Sequence, residues 1–340
     1  MENSFLLILI FFLNLIIFFK FQKLSSFFKV LDKPDKKLKK HKNPVSLIGG
    51  FIILINLYLI FFLIKLLNLN NIIFEGNFSN IILILGSTFF VIGFLDDLKN
   101  LSPNIKLFLI IISIFFVTFF FPEIKLENIK ISFLKNHYSF GNFSFIFILL
   151  SFALLANALN MFDGINLQLI CFTLFIFVIF ILKGFLPIFF ILLSISLIFL
   201  GLLNYQNKVF IGDGGCYLIS SIIGSTFIYQ YKTFDNFLFG DQIFIILLIP
   251  SIDMFRLFLV RIIKKKHPFK GDLNHLHHII DGFIKNKNLT ILITLSLCIF
   301  PTFLMFLKLE TYIILFLSLI IYLSLILFLE FKKKNYKGSE

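Results

Sequence analysis

Tryptophan is absent from this chain of 340 residues, and arginine nearly so, with only Arg256 and Arg261. Cysteine is scarce as well. Cys171, Cys216 and Cys298 stand far apart and form no C-x-x-C pair, so neither a disulfide framework nor a zinc site is indicated. Charged residues make up 14% of the chain, where a soluble domain carries about a quarter. No internal repeat and no separate soluble domain can be read along the sequence. These shortages exclude a water-soluble fold of ordinary composition.

What is abundant is apolar. Hydrophobic residues reach 59%, and the mean hydropathy is +0.99, more apolar surface than one core could hide. The chain reads as an all-α polytopic membrane protein. The 53 phenylalanines are spread through every apolar run, which suits coding bias better than an aromatic ligand box. Eleven stretches, at roughly 4–22, 45–66, 80–95, 105–121, 144–162, 167–182, 185–203, 215–231, 242–262, 289–308 and 311–331, are predicted to be transmembrane helices. The first lacks the basic start and small-residue cleavage site of a signal peptide, so it counts as a span. Lysines crowd the loop after the first span (Lys23 to Lys42), the loop after the ninth (Lys264 to Lys287) and the tail (Lys332 to Lys337). With eleven spans all three fall on one face. By the positive-inside rule that face is cytoplasmic, with the N-terminus outside and the C-terminus inside. Basic cytoplasmic loops also account for the net charge of +13 without nucleic acid. The longest outer loop, "PEIKLENIKISFLKNHYSFGN", alternates weakly and suits a small hairpin.

Five polar clusters interrupt the apolar runs: "DKPDKKLKKHKNPVSLIGG", "FLDDLKN", "NALNMFDGIN", "FIGDGGC" and "HPFKGDLNHLHH". Singly each is commonplace. An Asp pair at a helix end is usually solvated, G-D-G-G is usually a turn, and a His pair can be a surface patch. On the span map, however, all five land on the cytoplasmic face, where chance would divide them between the two. Ionisable residues at membrane depth are costly and are functional candidates by default. Asp96, Asp97, Asp163 and Asp213, with Asn160 and Asn166, are hard oxygen donors suited to Mg²⁺ or Mn²⁺. Adjacent Asp96 and Asp97 repel one another unless a cation or proton intervenes, so one could serve as a base. Glycines around Asp213 let backbone approach a phosphate. Lys270, His275, His277 and His278 suit a diphosphate. Together these residues supply metal, base and cationic clamp, the inventory of phosphoryl transfer.

In order along the chain, from Asp32 to His278, the same segments resemble the polyprenyl-phosphate N-acetylhexosamine-1-phosphate transferases of the MraY/WecA type. Asp32, Pro34, His41, Gly49 and Gly50 match the family's first cytoplasmic loop. "LDDLKNLSPNIK" matches its acidic motif and the following lysine, Lys106. "NALNMFDGIN" and "NYQNKVFIGDGGC" match two further motifs, and "PFKGDLNHLHH" matches the WecA-like histidine motif rather than the three consecutive histidines of the MraY branch. The resemblance implies a single membrane domain over residues 1–340 at the bacterial inner membrane, compatible with a homodimer. It also implies a reaction: a UDP-N-acetylhexosamine gives its sugar-1-phosphate to undecaprenyl phosphate and releases UMP. The implied roles are Mg²⁺ (or Mn²⁺) held by Asp213 and Asn160, and Asp96 or Asp97 deprotonating or orienting the lipid phosphate. Asp163, Gly164 and Asn166 contact the nucleotide, with Asn157 in the same binding motif. His275, His277 and His278 contact phosphate or sugar, His277 with a catalytic part, and Lys106 steadies phosphate charge.

The chain departs from the family pattern at several places. Asn100 replaces the third acidic residue, Asn166 the second Asp of D-G-I-D, Leu167 the glycine that follows, Cys216 the Ser of G-D-x-G-S, and Asn207-Lys208 a Pro-Ala pair. The four aspartates remain. The alternatives are the muramoyl-peptide reaction, against which the H-L-H-H spacing speaks, and a transporter or inactive scaffold. A transporter predicts ionisable residues in mid-span or broken, repeated helices.

Overall fold

The computed structural model describes residues 2–34, 43–67, 69, 77–134, 137–233, 238–266 and 272–337. His41, Lys270 and the Pro268–Phe269 pair lie outside the described residues. Helices occupy all eleven predicted stretches. They are α1 (Glu2–Phe28), α2 (Gly49–Leu66), α3 (Phe78–Lys99), α4 (Pro103–Phe120), α5 (Ser144–Phe162), α6 (Gln168–Leu182), α7 (Pro187–Tyr205), α8 (Gly212–Thr233), the pair α9 (Gly240–Ile246) and α10 (Leu248–Ile263), α12 (Lys287–Phe306) and α13 (Thr311–Lys337). A short helix, α11 (Leu276–Ile284), comes before α12. Among the described residues eight helices are long and apolar enough to cross a membrane, or nine if the pair α9–α10 counts as one span. That pair bends by 79°. Pro250 sits in the first turn of α10, where its missing N–H costs no helical bond. The chain is a multi-pass, all-α membrane protein.

Two of the predicted spans fall short of that test for physical reasons. Helix α6 has only 15 residues. Helix α8 has 22 but is the least apolar of the long helices, because protein packs around nearly its whole length. Nearly every side chain from Gly214 to Tyr229 is buried, including Ser220, Ser221, Ser225 and Thr226. These small residues let α2, α3 and α5 pack close, and their hydroxyls bond back to carbonyls three or four residues earlier in the same helix. A second buried polar contact joins α1, α2 and α7: Asn14 and Asn56 exchange amide hydrogen bonds of 2.8 and 3.0 Å, with Ser196 at 3.4 Å. In lipid, such mutual satisfaction removes the cost of burying an amide.

The helix ends sort into two sets. At one end, β1 (Leu31–Asp32) pairs antiparallel with β2 (Val45–Ser46). Phe210 N donates to Ser46 O at 2.8 Å, and Gly49 N to Phe210 O at 3.1 Å, so the first loop is tied to the segment that enters α8. At the other end, β3 (Asn128–Lys130) and β4 (His137–Ser139) form the expected antiparallel hairpin. It is latched by Asp241, which accepts from Ser132 N at 2.9 Å and from the Thr311 hydroxyl.

Candidate active site

The first loop, the ends of α3 and α5, the start of α8 and the start of α11 meet at the first of these two ends. Helix α8 begins at Gly212, whose φ of 73° lies in the left-handed region. Its first free N–H groups meet a carboxylate from another helix: Asp97 accepts from Asp213 N at 2.9 Å and from Gly214 N at 3.1 Å. This is the anion site that any helix N-terminus offers, filled here by a side chain. One turn earlier Gly93 lets the two backbones touch; a Cβ there would lie 2.3 Å from the Asp213 carbonyl oxygen.

Asp96, next in sequence, is buried and points to a different set of partners. It takes an ion pair from Lys106, in the first turn of α4, and the Leu101 N–H at 2.7 Å. The side chain of Asp213 lies close beside it. Two buried carboxyl groups this close need a shared proton or a cation between them. Asp96, Asp97 and Asp213 therefore form one acidic centre, with Lys106 as the one lysine attached among the described residues.

Asp163 caps the C-terminal end of α5. Its carboxyl turns into the protein, where the Cys216 thiol donates to Oδ2 at 3.5 Å. Burial pushes this carboxyl up to about 7, with the neighbouring charge of Asp97 adding to the rise against the thiol bond. Asn160, one turn earlier, lies beside Tyr217, and Tyr217 lies one turn after Asp213 on α8. Asn160 and Asp213 thus share a neighbourhood. Asn157 donates to Ala153 O at 2.7 Å, a bond within its own helix.

The turn from α5 to α6 is held by an asparagine lattice. Asn166 donates to Asn204 O at 2.7 Å and to Asn207 Oδ1 at 2.8 Å, while Asn204 Oδ1 accepts Leu167 N at 2.6 Å. This explains how leucine stands where the family pattern has glycine. Leu167 keeps the left-handed conformation, φ 69°, at a cost of about 1–2 kcal/mol, against which these bonds work. The Asn166 amide is thereby committed to the turn.

The histidines close the opposite wall. His277, near the start of α11, is buried, and its Nε2 has no hydrogen-bond partner among the described residues. It lies against Gly164, where a Cβ would fall 1.9 Å from Nε2. Burial, then the charges of His278 and His275, hold its pKa well below the usual histidine range, so it is neutral at neutral pH. Its ring is parallel to that of His275, 5.5 Å away and 8° apart, and 4.2 Å from that of half-buried His278. Most of the site residues expected from sequence therefore gather in two groups, the acidic centre and the histidine wall, that meet at Asp163–Gly164, while Asn157 and Asn166 bond within their own helix and turn.

Four participants escaped the sequence reading. Tyr217 and Asn204 look like ordinary residues of apolar helices. Asp253 and Arg256 do not: they stand three apart within an apolar run, and an ionisable pair in such a run is a site signal. Among the described residues no group of three His, Cys, Asp or Glu side chains is arranged as a ready-made metal cage.

An all-helical membrane protein with an acidic centre at one end of its bundle is the class these observations define. Residues 79–231 match the family described as Glycosyl transferase family 4. That span holds the acidic centre, Lys106 and the Asn157–Asn166 motif, and ends before the histidines. The chain is also 26% identical over 298 residues, 83% of its own length and 85% of the other's, to undecaprenyl-phosphate alpha-N-acetylglucosaminyl 1-phosphate transferase of Thermotoga maritima. Both findings support the resemblance carried by the five motifs, to the polyprenyl-phosphate sugar-phosphate transferases of the MraY/WecA type.

Proposed function

We propose that this protein transfers an N-acetylhexosamine-1-phosphate from its UDP-sugar to undecaprenyl phosphate, as the first membrane step of a cell-surface glycan. An oxygen of the lipid phosphate bonds to the phosphorus that carries the sugar, the bond to the bridging oxygen breaks, and UMP leaves. The observation that carries this reading is the acidic centre of Asp96, Asp97 and Asp213 at the N-terminus of α8, with Lys106 on one side and neutral His277 on the other. The Thermotoga relative, named for N-acetylglucosamine, supports that sugar first.

The donor set suits Mg²⁺. Asp213 and Asn160 would hold it, and the Asp96–Asp213 carboxyl contact is a place where a cation replaces a proton. Magnesium takes one or two protein oxygens and completes its shell with phosphate and water, so it needs no three-carboxylate cage. When bound, it supplies charge neutralisation for the diphosphate. The remaining roles fall to the chain. Lys106 pairs with Asp96 and offers its ammonium to phosphate. Asp96 or Asp97 orients or deprotonates the acceptor phosphate. Asp163 and Gly164 line the nucleotide side, and the histidine wall faces the sugar-phosphate.

The lipid tail needs an apolar groove that begins outside the acidic centre. A cavity of about 630 Å³ lies between α5, α8, α9–α10 and the hairpin, lined by residues such as Phe147, Leu155, Phe227, Ile243 and Phe255. Phe255 and Leu154 on its rim are exposed, so it opens towards the membrane. The crowding of lysines in the loop after α1, the loop after α10 and the tail supports a cytoplasmic position for the acidic end, at the inner membrane. A transport pathway is disfavoured because the ionisable clusters gather at the bundle's two ends, not along a track through it.

The test is a membrane assay with undecaprenyl phosphate, Mg²⁺ and a panel of UDP-N-acetylhexosamines. Lipid-linked sugar and UMP should form together from at least one donor. Failure of every donor in protein shown to be folded would refute the reading. Full activity in Asp213→Ala would remove the metal assignment.

A further inference from the structure

Helix α11, which carries His277 and His278, has no cap of its own. Its N-cap residue, His275, is extended (φ −64°, ψ 151°), and its side chain makes no capping hydrogen bond. The cap comes from α10. Asp253, buried at 6% exposure, accepts the Leu276 N–H at 3.3 Å and faces His275 Nδ1 at 3.3 Å. A carboxylate placed at a helix N-terminus satisfies a free donor and opposes the helix dipole.

Asp253 is itself fixed from two sides. Tyr322 of α13, 1% exposed, donates its hydroxyl to Oδ1 at 2.6 Å. Arg256, one turn along α10, donates from Nη2 to Oδ1 at 2.8 Å, and from Nε to the Tyr322 oxygen at 2.7 Å. The same Nη2 reaches the Asn274 carbonyl at 2.6 Å. Three successive residues, Asn274, His275 and Leu276, are therefore gripped by one Asp–Arg–Tyr cluster drawn from two other helices. From there the chain of contact runs through the parallel rings of His275 and His277 to Gly164.

We propose that Asp253 is a positioning residue: its carboxylate holds the proton of His275 on Nδ1 and sets α11 so that His277 Nε2 faces the Asp163–Gly164 turn. The choice of nitrogen follows from the partner. An ionised carboxylate only accepts, so the ring nitrogen facing it must donate, which leaves Nε2 as the acceptor in the neutral ring. An outer carboxylate that orients an imidazole in this way is a recurrent device wherever histidine must present one nitrogen to a ligand. Asp253 touches no substrate in this scheme and acts through His275.

The proposal rests on the transferase reading for its kinetic arm but not for its spectroscopic one. Protein labelled with [¹⁵N]histidine, in nanodiscs, reports which ring nitrogen carries the proton. Six histidines give a tractable spectrum, and His275→Gln assigns the signal. His275 should show Nδ1 protonated at pH 7 in the wild type. Nδ1 found bare overturns the proposal whatever the chain catalyses. Asp253→Asn, nearly isosteric, can present its amide N–H to the ring, so His275 should switch to the Nε2–H form, and kcat/KM for the UDP-sugar should fall about tenfold or more. An unchanged spectrum and unchanged kinetics in folded Asp253→Asn protein overturn it too. A general loss of structure would lower the yield of folded protein without moving the proton from one nitrogen to the other, and the wild-type measurement stands even if the variant does not fold.

Discussion

Replacing Gly164 by alanine sets one methyl group against His277. The added carbon would lie 1.9 Å from Nε2 and 2.7 Å from both Cδ2 and Cε1. Ordinary contact begins at 3.4 Å, so the ring must retreat by about 1.5 Å. It has little room to do so, being buried, parallel to the His275 ring and edge-on to that of His278. Gly164 has no positive φ, so the close approach, and not backbone strain, is what requires glycine. Overpacking of this kind costs about 1–3 kcal/mol. A displacement near 1 Å at a reacting centre costs up to about 10²-fold in rate. Gly164→Ala should therefore remain folded, unfold a few degrees lower, and lose at least about thirtyfold in kcat/KM for the UDP-sugar. The assay is lipid-linked product from radiolabelled donor, beside thermal unfolding in detergent. The double variant Gly164→Ala/His277→Ala should regain the lost thermal stability but not the activity. Wild-type turnover in Gly164→Ala would falsify the placement of His277 against this turn.

Further outcomes follow from the same geometry. Asp97→Asn puts an amide N–H where the α8 N-terminus needs an acceptor; leaving one buried donor unsatisfied costs about 1–3 kcal/mol, and product formation should fall to a small fraction of wild type. Asp163, raised by burial from 3.8 to about 7, keeps its proton in the folded chain where the unfolded chain has lost it. The stability this proton provides is complete below pH 3.8 and is lost as the pH rises through 7. Asp163→Asn should accordingly unfold at a higher temperature than wild type at pH 8, by at most about 4 kcal/mol of stability, with the gap closing towards pH 4; a constant gap would refute the assignment. Chelation of divalent cations should abolish transfer, Mg²⁺ should restore it, and Asn160→Ala should raise the Mg²⁺ concentration needed. Single cysteines at exposed Lys99 and Lys285 should label only from the cytoplasm, and one at Phe133 only from outside; the reverse pattern would overturn the orientation.

Composition and run length were enough to determine a helical membrane protein, because lipid demands long apolar helices that satisfy their own backbone. The same runs place helices at all eleven predicted stretches. Motif order pointed to the family that the comparisons support, and lysine placement put the polar clusters on one side. Sequence could not decide which helix lies at the centre. Helix α8 reads as a poor span for the same reason that it is the best buried: its serines and glycines serve neighbouring helices. Nor could spacing show that Asp97 serves the α8 N-terminus while Asp96 serves Lys106, since adjacent residues on a helix point to different neighbours. Asp253, Arg256 and Tyr322 acquire their meaning only when α10 and α13 bring them to the start of α11. Contacts between residues as distant as Asp253 and Tyr322, or Gly164 and His277, are set by packing, and packing depends on every helix at once. Tertiary structure alone therefore decided that the histidines form one wall of the acidic centre and what holds that wall in place.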